Sequence, residues 1–133
     1  MSTYNPENIF LYIVKGDIPS FKLFETEHVV TILDTFPLVP ASDMTPEMAA
    51  NVFKEIPRLT KAVQEATGAN GVNVVLNNGA TASQMVFHAY AHVIPRFDGD
   101  GLNQHPRDPS LPAAKMITKE EGATIQTKIQ NKL

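Results

Sequence analysis

The sequence predicts one mixed domain of helices and short strands, on three observations. A chain of 133 residues, 43% of them hydrophobic, is long enough to bury a core and short enough for one domain. Apolar residues recur at helical steps from Met48 to Ala66, while the runs 22–25, 28–33 and 72–77 are strand-like. The third observation is Gln84-Met85-Val86-Phe87-His88-Ala89-Tyr90-Ala91-His92-Val93-Ile94-Pro95. On a strand its side chains alternate, so Gln84, Val86, His88, Tyr90, His92 and Ile94 share one face. Met85, Phe87, Ala89, Ala91 and Val93 line the other, which is apolar enough to pack into a core.

Taken in order, Ile9, Phe10, Ile13 and Val14 repeat at i, i+1, i+4 and i+5, a short amphipathic helix. Gly16-Asp17 ends it and Pro19 enforces a turn. The strands at 22–25 and 28–33 flank Thr26-Glu27 as an antiparallel pair. Thr45 is a good N-cap, Pro46 suits the first helical position and Glu47 complements the helix dipole. Met48, Val52, Ile56, Leu59, Val63 and Ala66 then form an apolar stripe, which Pro57 should kink and Gly68 and Gly71 should end. After the strand at 72–77 comes Asn77-Asn78-Gly79-Ala80-Thr81-Ala82-Ser83, a small polar loop whose backbone could approach an anion closely. A polar loop feeding a His-bearing strand suggests a phosphate site. Beyond Arg96 the chain is irregular, with Gly99, Gly101, Pro106, Pro109 and Pro112. Thr118-Lys119-Glu120-Glu121 is a capping-box pattern, and Ile125, Ile129 and Leu133 mark the narrow seam of a C-terminal helix.

Composition excludes several classes. No segment reaches the ~20 apolar residues of a membrane helix, so no membrane partner is expected. Met1-Ser2-Thr3-Tyr4-Asn5-Pro6 carries no basic-then-apolar signal pattern. Zero cysteines rule out a disulfide framework and thiolate metal sites, and fit a cytoplasmic protein, with the nucleus as a second address. A formal charge of -3 and a pI of about 5.7 argue against nucleic acid as a partner, though a small nucleotide needs only a local site.

The His-bearing stretch and its loop resemble the histidine triad (HIT) family, whose signature is His-x-His-x-His after an Asn-Asn-Gly loop and a Gln. The first and third histidines match His88 and His92, and Val93-Ile94-Pro95-Arg96 continues as the family does. Asn8-Ile9-Phe10 and residues 16–22 look like its opening, Leu33-Asp34-Thr35-Phe36-Pro37 like its nucleoside-binding strand end, and Gly99-Asp100-Gly101 like the sequence after the triad. The resemblance covers nearly the whole chain, as a single domain over 1–133 with residues 95–133 forming an extension of loop and short helix. It implies an α+β fold, an antiparallel sheet of about five strands with two main helices, and a homodimer.

It also implies a purine nucleotide as ligand, with no cofactor. By match, His92 contacts phosphate, His88 steadies its neighbours, and Asn77, Ser83 and Gln84 add phosphate and ribose contacts. Asp34 accepts from the ribose hydroxyls, and Phe10, Ile13 and Ile32 line the base pocket. The middle position, the family's nucleophile, is Tyr90. In the family that residue attacks the α-phosphorus of a nucleotide carrying an amine or phosphate leaving group, and water hydrolyses the intermediate. Three readings follow: a nucleotide-binding protein with impaired hydrolysis, a working hydrolase or transferase on nucleoside phosphoramidates or dinucleoside polyphosphates, or a non-catalytic interaction module. Zinc held by His88 and His92 fits poorly, because residues four apart on a strand lie ~13 Å apart and no third ligand stands out; no metal is expected. The sequence also departs from the family between Pro37 and Thr45. There the family has a Gly-His strand with an apolar Ile-Pro run, and residues 37–44 are too few to supply it, since a strand takes ~5–6 residues plus its turns; either the protein lacks this strand or the sequence omits a segment of the molecule.

Overall fold

A computed structural model describes residues 9–27, 29–33, 44–82, 91–101 and 117–133. The first helical pattern gives α1, Ile9–Lys15. It is closed by Gly16 at φ 85°, whose N–H donates to the Ile13 carbonyl at 3.1 Å. Strands β1 (Phe21–Glu25) and β2 (Val30–Leu33) pair antiparallel, with a register irregularity between Lys22 and Phe24. Thr26 makes their turn: its N–H donates to the Val29 carbonyl at 2.8 Å, and its Oγ1 accepts from the Val29 N–H at 3.1 Å.

The kinked helix expected from Thr45 to Ala66 is two helices, α2 (Pro46–Phe53) and α3 (Ile56–Thr67). Pro57 has no N–H and its ring crowds the carbonyl four residues back, so the first helix stops at Phe53 and proline takes an early position of the second, where neither defect matters. Thr45 caps α2 as expected, its Oγ1 accepting from the Met48 N–H at 3.2 Å. Gly68 ends α3 in the left-handed region at φ 71°. Gly71 ends nothing; it opens β3 (Gly71–Val75), which pairs antiparallel with β4 (His92–Arg96). Among the described residues the strands therefore form two antiparallel pairs, β1·β2 and β3·β4.

Helix α4 (Lys119–Gln130) begins with the predicted capping box: the Thr118 N–H donates to Glu121 Oε2 at 2.7 Å, and Thr118 Oγ1 accepts from the Glu121 N–H at 3.1 Å. Its buried anchor is Ile129, 1% exposed, which meets Leu23, Leu59, Ala62 and Val63 in the core. Burying one such side chain is worth about 1.5–3 kcal/mol. The helix also covers the outer edge of β1. Gln126 Nε2 donates to the Lys22 carbonyl at 2.6 Å, and Gln130 Nε2 donates to the Lys22 and Leu23 carbonyls at 3.0 and 3.2 Å. Gly122 permits this approach, because a Cβ there would meet the Phe21 ring at 2.5 Å. Two predicted apolar positions fall outside the core: Leu133, beyond the end of α4, and Met48 on α2, 36% and 54% exposed. No residue of α2 is buried.

Candidate functional site

Register sets the position of His92. It lies opposite Val75, the last residue of β3, so the chain leaving β3 through Leu76 and Asn77 emerges at the end of the pair where β4 begins. Gly79 turns that loop at φ 84°, a backbone conformation that disfavours other residues. A short 3-10 helix, Ala80–Ala82, follows, with the Ala82 N–H donating to the Gly79 carbonyl at 3.0 Å. The polar loop and His92 thus share one end of the β3·β4 pair.

The other end of β4 is clamped by side-chain hydrogen bonds. Arg96, opposite Gly71, forms two parallel hydrogen bonds to Asp100 at 2.7 and 2.6 Å and a further one to Asn73 across the pair. The Phe97 N–H donates to Asp100 Oδ2 at 3.0 Å. Donating these hydrogen bonds to the Asp100 carboxylate raises the Arg96 pKa above its ordinary value. A raised pKa favours the charged guanidinium, so this clamp loses its cation only at strongly alkaline pH. The result is a β4 strand fixed at its far end, with His92 held at the near one.

A cleft of about 670 Å³ opens between β2 and β4. It brings together three predicted site residues: Ile13 from α1, Ile32 from β2 and His92 from β4. All three are half-buried. Leu59, Val63, Ile125 and Ile129 contribute its helical lining. Asn77, half-buried in the loop, is not among the lining residues. Tyr90, His88, Asp34, Ser83 and Gln84, with the segment 37–43, lie outside the described residues, as does the side chain of Phe10. Sequence reasoning missed the Val93 and Ile94 wall and the carboxylates Glu25, Glu27 and Glu55. Among the described residues, the charged ones that line the cleft are these three acids. Glu25 pairs with Lys22 and Glu55 with Arg58, each at 2.6 Å, and Arg58 stacks over the Phe24 ring at 4.1 Å. Among the described residues no group of three metal-binding side chains converges.

The cleft is thus an apolar slot with an imidazole at one strand end, and the chain as a whole is similar to known proteins. The HIT domain model matches residues 15–99. An adenylylsulfatase of Arabidopsis thaliana is 34% identical over 114 residues, which take in 76% of this chain and 58% of that protein. The chain thus spans less than two thirds of that relative's length. An adenosine 5'-monophosphoramidase of Schizosaccharomyces pombe is 33% identical over 138 residues, covering 92% of this chain and 98% of its own. Both alignments contain positions this chain lacks. Since 76% of 133 residues is about 101, the plant match has about 13 positions without a counterpart here; the yeast match, by the same reckoning, has about 16. In structure, a Hit-like protein from Bartonella henselae superposes with a TM-score of 0.79 at 26% identity, covering 98% of this chain and 100% of that one. The extent of the domain match and the shared α+β architecture make this chain a member of the HIT domain family.

Proposed function

We propose that the chain binds a purine nucleoside monophosphate in the cleft between β2 and β4, and that Tyr90 leaves it with little or no nucleotidyl hydrolase activity. One observation carries the reading: Ile13, Ile32 and His92, from three separate elements, line a single cleft. The apolar pair would sandwich a base, and His92, beside the polar loop, would meet the phosphate. The names of both relatives specify an adenylyl group, which makes AMP the first ligand to try. Asp34 would take the ribose hydroxyls, a carboxylate having room for two donors. Asn77, Ser83, Gln84 and His88 complete the phosphate end by family match.

Tyr90 decides the chemistry. An imidazole of pKa about 6.5 is mostly a neutral nucleophile at pH 7, whereas a phenol near 10 is only about 0.1% ionised. A tyrosyl ester would also lack the positive charge that makes a phosphohistidine labile. Binding draws on groups distinct from the attacking atom, so it survives while turnover falls. The protein is further proposed to work as a cytoplasmic homodimer; among its described residues no helix is long and apolar enough to cross a membrane.

Titration calorimetry with AMP tests binding. Saturable binding that falls at least tenfold in Ile32→Glu and in His92→Ala, each still folded by circular dichroism, supports the site. No binding to the unsubstituted chain, or binding indifferent to both changes, overturns it.

A further inference from the structure

The cleft is bounded by strand edges. A sheet face presents alternate residues, because side chains point to opposite sides with period 2. Here every residue from Val29 to Leu33 and from Ala91 to Pro95 lines the cleft, the signature of two strands approached edge-on. Each strand is paired on one side only among the described residues, β2 with β1 and β4 with β3. The β1 edge is covered by Gln126 and Gln130 of α4, but no such cover reaches Val30–Leu33 or Val93–Pro95 among the described residues. Unpaired N–H and C=O groups against an apolar lining are poorly solvated, and an extended chain is the ligand that pairs two facing edges at once.

We infer that this cleft accepts an extended peptide strand supplied by a partner protein, inserted between β2 and β4 and joining the two pairs into one sheet. The chemistry of the occupant follows from the walls. Leu59, Val63, Ile125 and Ile129 require apolar side chains on one face of the strand, hence an alternating pattern. Of the three acids among the described lining residues, Glu25 and Glu55 are already paired with Lys22 and Arg58, while Glu27 has no ion pair among the described residues and favours a basic residue flanking the strand. The positions without a counterpart here, about 13–16 in total over each alignment, would suffice for a strand with its turns. The inference rests on backbone edges and wall charge, not on nucleotide binding, so AMP binding can fail without touching it.

The test uses the full chain and an acetylated, amidated peptide alternating Val and Thr between lysine pairs, read by amide hydrogen exchange. The outward amides of Val30–Leu33 and of Val93 and Ile94 should exchange about tenfold more slowly with peptide bound. A peptide with central proline should give no protection, and one with glutamate ends should bind at least tenfold more weakly. Several results would overturn the inference. The peptide could protect nothing, or only the outer edge of β3. The same amides could already be slow in the dilute free chain, meaning that its own residues fill the cleft. Protection could instead rise with protein concentration alone, meaning that a second copy does.

Discussion

Gly122 shows how one missing side chain sets the placement of a helix. A Cβ there would sit 2.5 Å from the Phe21 ring, so alanine must push α4 off β1 or rotate the ring. Overpacking costs about 1–3 kcal/mol, against a helix-propensity gain of about 1 kcal/mol over glycine. Gly122→Ala should therefore lower the urea midpoint, and the loss should vanish or reverse in a Phe21→Ala background. An equal loss in both backgrounds would place the strain elsewhere. At the same scale, His92 was legible as a candidate site residue from alternation and family likeness, and Ile32 from family likeness alone. The carboxylates of the cleft were not. In sequence Glu25 looks like an ordinary strand end and Glu27 like an ordinary turn residue, and only the folded arrangement makes them wall.

Elements were legible where the signal is local. The capping box of Thr118 and Glu121 and the N-cap at Thr45 need only neighbouring residues, and both form. Pro57 announced a disturbance, yet the break falls at Lys54 and Glu55, because proline acts on the turn before it. The role of α4 was hidden. Gln126 and Gln130 read as solvent-facing polar residues, and nothing near them reveals the Lys22 and Leu23 carbonyls more than a hundred residues away. Ile129 joins that helix to the core, so Ile129→Ala should cost about 2–5 kcal/mol of unfolding free energy. Chemical denaturation measures it. A change below about 0.5 kcal/mol would mean that α4 is not docked as described.

At the scale of the whole molecule, the sequence conveyed the α+β class and the antiparallel strands, and it flagged a shortage of residues between Pro37 and Thr45. What it could not convey is the consequence: two strand pairs whose edges line one cleft, with Ile13, Ile32 and His92 on its walls. Both inferences converge there. One concerns what sits against Ile13, Ile32 and His92; the other concerns what pairs with the backbone between them. The central claim is narrower, that a family binding site persists here beside a position without the family's nucleophile. Side-by-side turnover of an adenosine phosphoramidate by this chain and by Tyr90→His tests it most directly, with intact mass read on both. The parent chain should be silent and carry no adduct, and the histidine variant should turn the substrate over. Turnover by the parent, or an adenylyl adduct on Tyr90, would contradict it.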